Sequence, residues 1–222
     1  MYKVISIDDE KEFLQGYSPE NADAFHYESA KNANKKFDQE LKKIKEKKVI
    51  LMCGGSASGK TEFIAKFCPT ENENPSEEIS GIVFDSTLPT EEGAKVKIKK
   101  ILKSGNTPVI CFILPYSLTR CLNAFHKRDR KIPETRFFET HSGARKVALW
   151  IANNHPEVEL LIYYNRLISE AEKSDGDLQI EISENGLGFV EISFENKNEM
   201  ISFLEKEQCL EEEIKALIIN KK

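Results

Sequence analysis

Several residue types are scarce in this 222-residue chain, and each scarcity excludes something. Cysteine occurs five times (Cys53, Cys68, Cys111, Cys121, Cys209), with no C-x-x-C pair and no histidines at zinc spacing. A disulfide framework and a structural zinc site are therefore not expected, and reduced intracellular thiols are. The longest apolar run, Val109 to Leu114, has six residues, far below the ~20 that a membrane helix needs. The opening MYKVISIDDE lacks the basic, apolar and small-residue succession of a secretory leader. A soluble, cytoplasmic protein with no membrane partner is expected. Arginine is also scarce: only six of the 32 basic residues are arginine, and Arg120, Arg128, Arg130, Arg136, Arg145 and Arg166 all fall between residues 120 and 166. A chain that uses lysine everywhere else and arginine here points to a site needing a planar, permanently charged fork.

What is present is enough for a core: 40% apolar, 31% charged and 9% aromatic residues exclude collagen-like, coiled-coil and wholly disordered chains. The length suits one domain with decorated ends. The net charge of −5 is uneven. Residues 167 to 222 carry 14 acids and 6 bases, net −8, leaving +3 for residues 1 to 166. The acidic tail argues against a nucleic-acid-binding C-terminus, and the body is too nearly neutral for duplex binding by bulk charge.

Hydrophobic periodicity predicts three regions: an N-terminal helical extension over 1–47, a core over 48–173, and an acidic C-terminal hairpin with helices over 174–222. In the first, a helix from Asp23 to Lys47 places Phe37, Leu41 and Ile44 on one stripe. In the second, Val49 to Cys53, Ile79 to Phe84, Val109 to Leu114 and Glu159 to Tyr163 read as strands. Helices are expected over Thr61–Phe67, Thr90–Lys103, Pro115–His126 and Ser142–Asn153, with the basic stretch HKRDRKIPETRF between the last two. That alternation predicts an α/β fold, a parallel sheet covered by helices on both faces. In the third region, LQIEIS, the NGLG turn and FVEISF predict a hairpin, followed by helices near Glu199–Lys206 and Leu210–Asn220.

Gly54-Gly55-Ser56-Ala57-Ser58-Gly59-Lys60-Thr61 matches G-x-x-x-x-G-K-[ST] and sits after an apolar strand and before a helix. Such a loop wraps its N–H groups around a phosphate chain, and the helix N-terminus adds partial positive charge. Lys60 would bridge the terminal phosphates of ATP, and the Thr61 hydroxyl would ligate Mg²⁺. Asp85 directly follows Ile82-Val83-Phe84, at the carboxyl end of a strand, where open α/β sheets bind ligands. A carboxylate there can accept a hydroxyl proton or hold the metal through water. The third strand ends in Leu114-Pro115-Tyr116 rather than paired acids, which favours a small kinase over a mechanical ATPase. A base-recognising Asn-Lys-x-Asp tetrad is missing; Asn196-Lys197-Asn198-Glu199 reads as a turn before a helix. Arg120, Arg128 and Arg130, with Lys127 and Lys131, supply the charge a moving phosphoryl group needs, with at least one arginine acting from a loop. Arg136, Arg145 and Arg166 are read as bystanders, Trp150 as packing, and His126, His141 and His155 as surface or capping residues.

The order GGSASGKT, IVFDST, R-x7-R-x-R with KIPETRFFETH, and a strand ending LLIYYN resembles the zeta-toxin group of P-loop kinases over about residues 30 to 170. The resemblance implies dependence on ATP and Mg²⁺ and transfer of the γ-phosphate to a small-molecule hydroxyl, in well-known members that of a UDP-N-acetylamino sugar. It also implies an antitoxin or other protein partner. Lys60 and Thr61 match the nucleotide and metal positions, Asp85 the catalytic base, and Arg120 with Arg128 or Arg130 the charge-stabilising arginines. The C-terminal hairpin and helices have no counterpart in that group. Related kinases act on nucleosides or polynucleotide 5′-hydroxyls, and a non-catalytic ATP-binding regulatory module would use the same phosphate loop.

Overall fold

The computed structural model describes residues 1–69, 80–168 and 187–208. Among the described residues six strands form one sheet: β1 (Tyr2–Ser6), β2 (Lys48–Cys53), β3 (Gly81–Asp85), β4 (Thr107–Pro115), β5 (Glu159–Leu167) and β6 (Leu187–Glu191). Their order is β1-β3-β2-β4-β5-β6. The first five are parallel, and β6 closes the far edge antiparallel to β5. The helices are α1 (Ile7–Glu12), α2 (His26–Leu41), α3 (Lys60–Phe67), α4 (Glu91–Lys103), α5 (Leu118–His126), α6 (Glu134–Asn154) and α7 (Lys197–Gln208). This is the α/β architecture expected from the alternation of apolar runs, a mostly parallel sheet flanked by helices.

Strand periodicity builds two cores, because successive side chains point to opposite faces. Val49, Leu51 and Cys53 face one layer with Ile82, Phe84, Ile110 and Phe112, and α2, α4, α6 and α7 cover it through Phe37, Ile98, Val147 and Leu204. Met52, Val83, Cys111 and Ile113 face the other layer, where α3 packs with Phe63 and Ile64. The central strands are buried on both sides, which is why they read as unbroken apolar runs. No helix among the described residues is long and apolar enough to cross a membrane. Cys53, Cys68, Cys111 and Cys121 are buried free thiols.

Three boundaries differ from the sequence expectation. Residues 1–47 hold more than helices: β1 pairs with β3 from Tyr2↔Gly81 to Ser6↔Asp85 and carries α1 to the carboxyl edge of the sheet. Long-range pairing recruits this mixed-polarity segment, whose own pattern is weak. Helix α6 begins at Glu134, eight residues before the expected Ser142, because Pro133 stands at its N-cap in an extended conformation and the charged turns beyond it still carry buried Phe137 and His141. Strand β6, expected as half of a hairpin, pairs with β5. The other expected half, residues 178–183, and the helix expected over 210–220 lie outside the described residues. Asn196 Oδ1 accepts the N–H groups of Asn198 and Glu199, so the Asn-Lys-Asn-Glu sequence caps α7.

Candidate functional site

The carboxyl ends of β2 and β3 meet at the phosphate loop. Gly59 opens α3 with φ 98°, a left-handed conformation that glycine adopts without strain. No side chain among the described residues caps this helix, and uncapped N–H groups at a helix N-terminus are of the kind that can bind an anion. Ala57 also has positive φ, 60°, a cost kept where the surroundings impose it. Lys60 is buried, and its Nζ donates to the carbonyls of Gly54 at 3.0 Å and Gly55 at 2.8 Å, which lays the ammonium along the loop. Burial pushes the Lys60 ammonium down from its usual range and Asp85 opposes this. The Thr61 hydroxyl donates to Asp85 Oδ2 at 3.3 Å. Burial raises the Asp85 carboxyl above the usual carboxylate range, with Lys60 opposing and the charges of Asp8 and Asp9 adding to the rise.

The loop is held from outside by residues far away in sequence. The Ser56 N–H donates to Thr140 Oγ1 at 3.0 Å. His141 Nε2 lies 2.9 Å from the Ser56 carbonyl. A carbonyl only accepts, so Nε2 carries the proton and Nδ1 is left with no hydrogen-bond partner among the described residues. His141 is fully buried rather than a surface or capping residue, and burial pushes its pKa down to about 3, helped by Arg145. It is therefore a neutral donor. The Cys121 thiol donates to the Ala57 carbonyl at 2.8 Å, and Asn165 Nδ2 donates to the Ser58 carbonyl at 2.9 Å. These contacts hold successive loop carbonyls outward.

Two cavities flank α3. One, of about 550 Å³, takes Thr61 and Asp85 as its floor, Asp8, Asp9 and Glu12 of the β1–α1 segment as an acidic wall, and Lys127, Arg128 and Arg130, with Asp129 among them, as a mainly basic wall. The other, of about 270 Å³, lies beyond Gly59 and is lined by Tyr116, Arg120, Cys121, Asn165 and Phe189. The three candidate arginines thus separate. Arg128 and Arg130 share the larger cavity, and Arg120 lines the smaller one on α5. Arg130 pairs with Asp8, whereas Arg128 meets no carboxylate at ion-pair distance among the described residues. Burial lowers the Arg128 guanidinium pKa, as does Arg130 beside it.

Sequence reasoning missed Asp8, Asp9, Thr140, His141 and Asn165 as parts of this site. Asp8 and Asp9 become visible only through the pairing of Ser6 with Asp85. The stretch KIPETRFFETH contains Thr140 and His141, and LLIYYN ends at Asn165, but neither marks which side chain serves the loop.

No family model matches the sequence, and no curated protein matches it. Among solved structures, the chain is similar to the AvrRxo1-ORF1:AvrRxo1-ORF2 complex with sulphate ions, at 14% identity and a TM-score of 0.48 over 73% of this chain and 64% of that one. It is similar to the native complex at 14% identity and a TM-score of 0.47, covering 77% and 66% of the two chains. For the complex with ATP the values are 13% and 0.47, covering 78% and 70%. The chain thus spans 64% of the length of the first of these structures.

Proposed function

We propose that this chain is an ATP-dependent P-loop kinase that transfers the γ-phosphoryl group to a hydroxyl of a small molecule. The motif order supports a zeta-toxin-like enzyme, with a UDP-N-acetylamino sugar as the acceptor class that resemblance implies. The observation that carries the reading is the meeting of Thr61 and Asp85, 3.3 Å apart, at the floor of a cavity with one acidic and one mainly basic wall.

In this reading the amides of the phosphate loop and of the first turn of α3 hold the phosphates, and Lys60 supplies charge to the terminal ones. The Thr61 hydroxyl, a hard oxygen donor, fits Mg²⁺. No group of three His, Cys, Asp or Glu among the described residues could hold a metal by itself; Thr61 would share the ion with phosphate oxygens and water. Bound Mg²⁺ supplies neutralising charge to the phosphoryl group. Asp85 accepts the proton of the acceptor hydroxyl as its oxygen bonds to the γ-phosphorus and the bond to the β–γ bridging oxygen breaks, releasing ADP. A carboxyl pushed above its ordinary range is a stronger base for that step. Arg128 faces the charge that builds on the moving group, and the smaller cavity beside Gly59 is where the nucleoside rests.

The test incubates the chain with Mg²⁺ and γ-labelled ATP and offers UDP-sugars, nucleosides and 5′-hydroxyl oligonucleotides in turn. Label moves to one class, and Asp85→Asn reduces the rate by roughly 10²–10⁴-fold while ATP binding persists. A parent protein that binds ATP and labels none of these would overturn the reading in favour of a nucleotide-binding regulatory module. An Asp85→Asn variant as active as the parent would overturn the assignment of the base.

A further inference from the structure

We propose that Asp8 is a positioning residue for the arginine segment: its carboxylate holds Arg130 and thereby presents Arg128 to the phosphate site. The catalytic consequence rests on the kinase reading; the contact does not. Asp8 lies two residues beyond Ser6, which is in register with Asp85, so the β1–β3 pairing delivers it to the rim of the cavity. Its Oδ1 takes Lys11 Nζ at 2.9 Å and its Oδ2 takes Arg130 Nη1. Lys11 is only 2% exposed, which fixes the carboxylate from below. The segment carrying Lys127 to Lys131 links α5 to α6, and a second tie joins it to the N-terminal region, from the Lys131 N–H to the Pro19 carbonyl at 2.8 Å.

The charges say why such a tie is needed. Arg128 and Arg130 stand on one wall, and each makes the other harder to hold there. Asp8 cancels one of the two, leaving Arg128 with no carboxylate at ion-pair distance among the described residues, and the Arg128 charge reaches Lys60. Burial alone would raise the Asp8 carboxyl, but Arg130 and Lys11 outweigh it and hold the group at about 2. It is therefore charged at neutral pH. Asp8 touches neither the nucleotide nor the reacting atoms in this scheme; it acts through the segment it anchors.

The experiment compares the full chain with Asp8→Asn, Asp8→Glu, Arg130→Gln and the double variant Asp8→Asn/Arg130→Gln. Expected for Asp8→Asn is a loss of about 10- to 100-fold in kcat, the scale of a misplaced catalytic group, with ATP dissociation constant unchanged. Asp8→Glu recovers most of the rate, and the double variant is no slower than the slower single one, because both remove the same contact. Trypsin gives a readout independent of transfer: cleavage after Lys127 and Arg128, mapped by mass spectrometry, is faster in Asp8→Asn than in the parent. Multiplying losses in the double variant, or parent-like kcat in Asp8→Asn, overturns the proposal. If the parent transfers no phosphate, the kinase reading fails, and equal tryptic rates in parent and Asp8→Asn would then overturn the positioning claim as well.

Discussion

The imidazole of His141 occupies the space where a side chain at residue 55 would stand: a Cβ built on Gly55 lies 2.1 Å from His141 Cγ. The phosphate loop thus owes its path to a ring on α6 as much as to its own glycines. Gly55→Ala forces the loop or the helix to move. Overpacking of this kind costs about 1–3 kcal/mol, and here it also displaces the loop amides that the proposed function assigns to the phosphates. The expected outcome is a fall in thermal midpoint together with a loss of ATP affinity of 10-fold or more. Thermal unfolding with and without Mg-ATP checks it, and a variant that binds ATP like the parent would refute it.

The same ring makes stability depend on pH. His141 is neutral when folded, with its pKa pushed down to about 3, whereas an unfolded histidine titrates near 6.5. Between those values the unfolded chain binds the extra proton, so this contribution is fully present above about pH 6.5 and is lost as pH falls. The slope approaches about 1.4 kcal/mol per pH unit. His26 is lowered too, by burial and by Lys11, so the parent alone cannot apportion the effect. His141→Gln keeps a donor for the Ser56 carbonyl and removes the titration. Its urea midpoint should fall less than that of the parent between pH 6.5 and pH 5, and an identical fall in both would sink the assignment.

How much of this was legible in the sequence depends on whether the information is local. Val49 to Cys53 and Val109 to Leu114 could be read because strands buried on both faces are unbroken apolar runs. Thr61 and Asp85 could be picked out because each follows a strand in a pattern with its own chemistry, and they meet at 3.3 Å. Tyr2 to Ser6 could not, since three of its five residues are only half-buried and its partner lies 79 positions away. The start of α6 was hidden by the density of charge between Lys127 and Arg136. His141 carries no mark in the sequence of the carbonyl it serves, because a lone histidine on a helix reads alike whether it faces water or a loop. The arginine concentration was visible, but its division between two cavities needed the path of α5 and the segment after it.

That division separates the roles of the arginines. Arg128 lines the cavity floored by Thr61 and Asp85, and Arg120 lines the one beyond Gly59. Arg128→Ala is expected to reduce kcat by roughly 10³-fold, the scale on which a guanidinium acts in phosphoryl transfer, with little change in ATP affinity. Arg120→Ala is expected to act mainly through the KM for ATP. Steady-state kinetics with saturating acceptor decides between these outcomes, and a reversed pattern would mean that the two cavities have been assigned the wrong way round.

The buried pair that joins α6 to α7 shows how a bystander to the phosphates still matters to the loop. Arg145 is 2% exposed; its Nη1 donates to the His141 carbonyl at 3.2 Å, and its Nε stands 3.5 Å from Glu207 Oε2. The Tyr164 hydroxyl donates to the other Glu207 oxygen at 3.1 Å. Burial raises the Tyr164 phenol to about 12, with the neighbouring carboxylate adding to it. Removing one member of a buried pair leaves the other charge uncompensated, at a cost of about 3–5 kcal/mol. Replacing both by apolar groups of similar volume is often neutral. Glu207→Gln should therefore lower the urea midpoint sharply, while Arg145→Met/Glu207→Leu should return most of the stability. The double variant also lacks the bond to the His141 carbonyl. If that bond helps seat His141 under Ser56, ATP affinity in the double variant stays below that of the parent even though stability recovers. Full recovery of both would confine Arg145 to holding the two helices together.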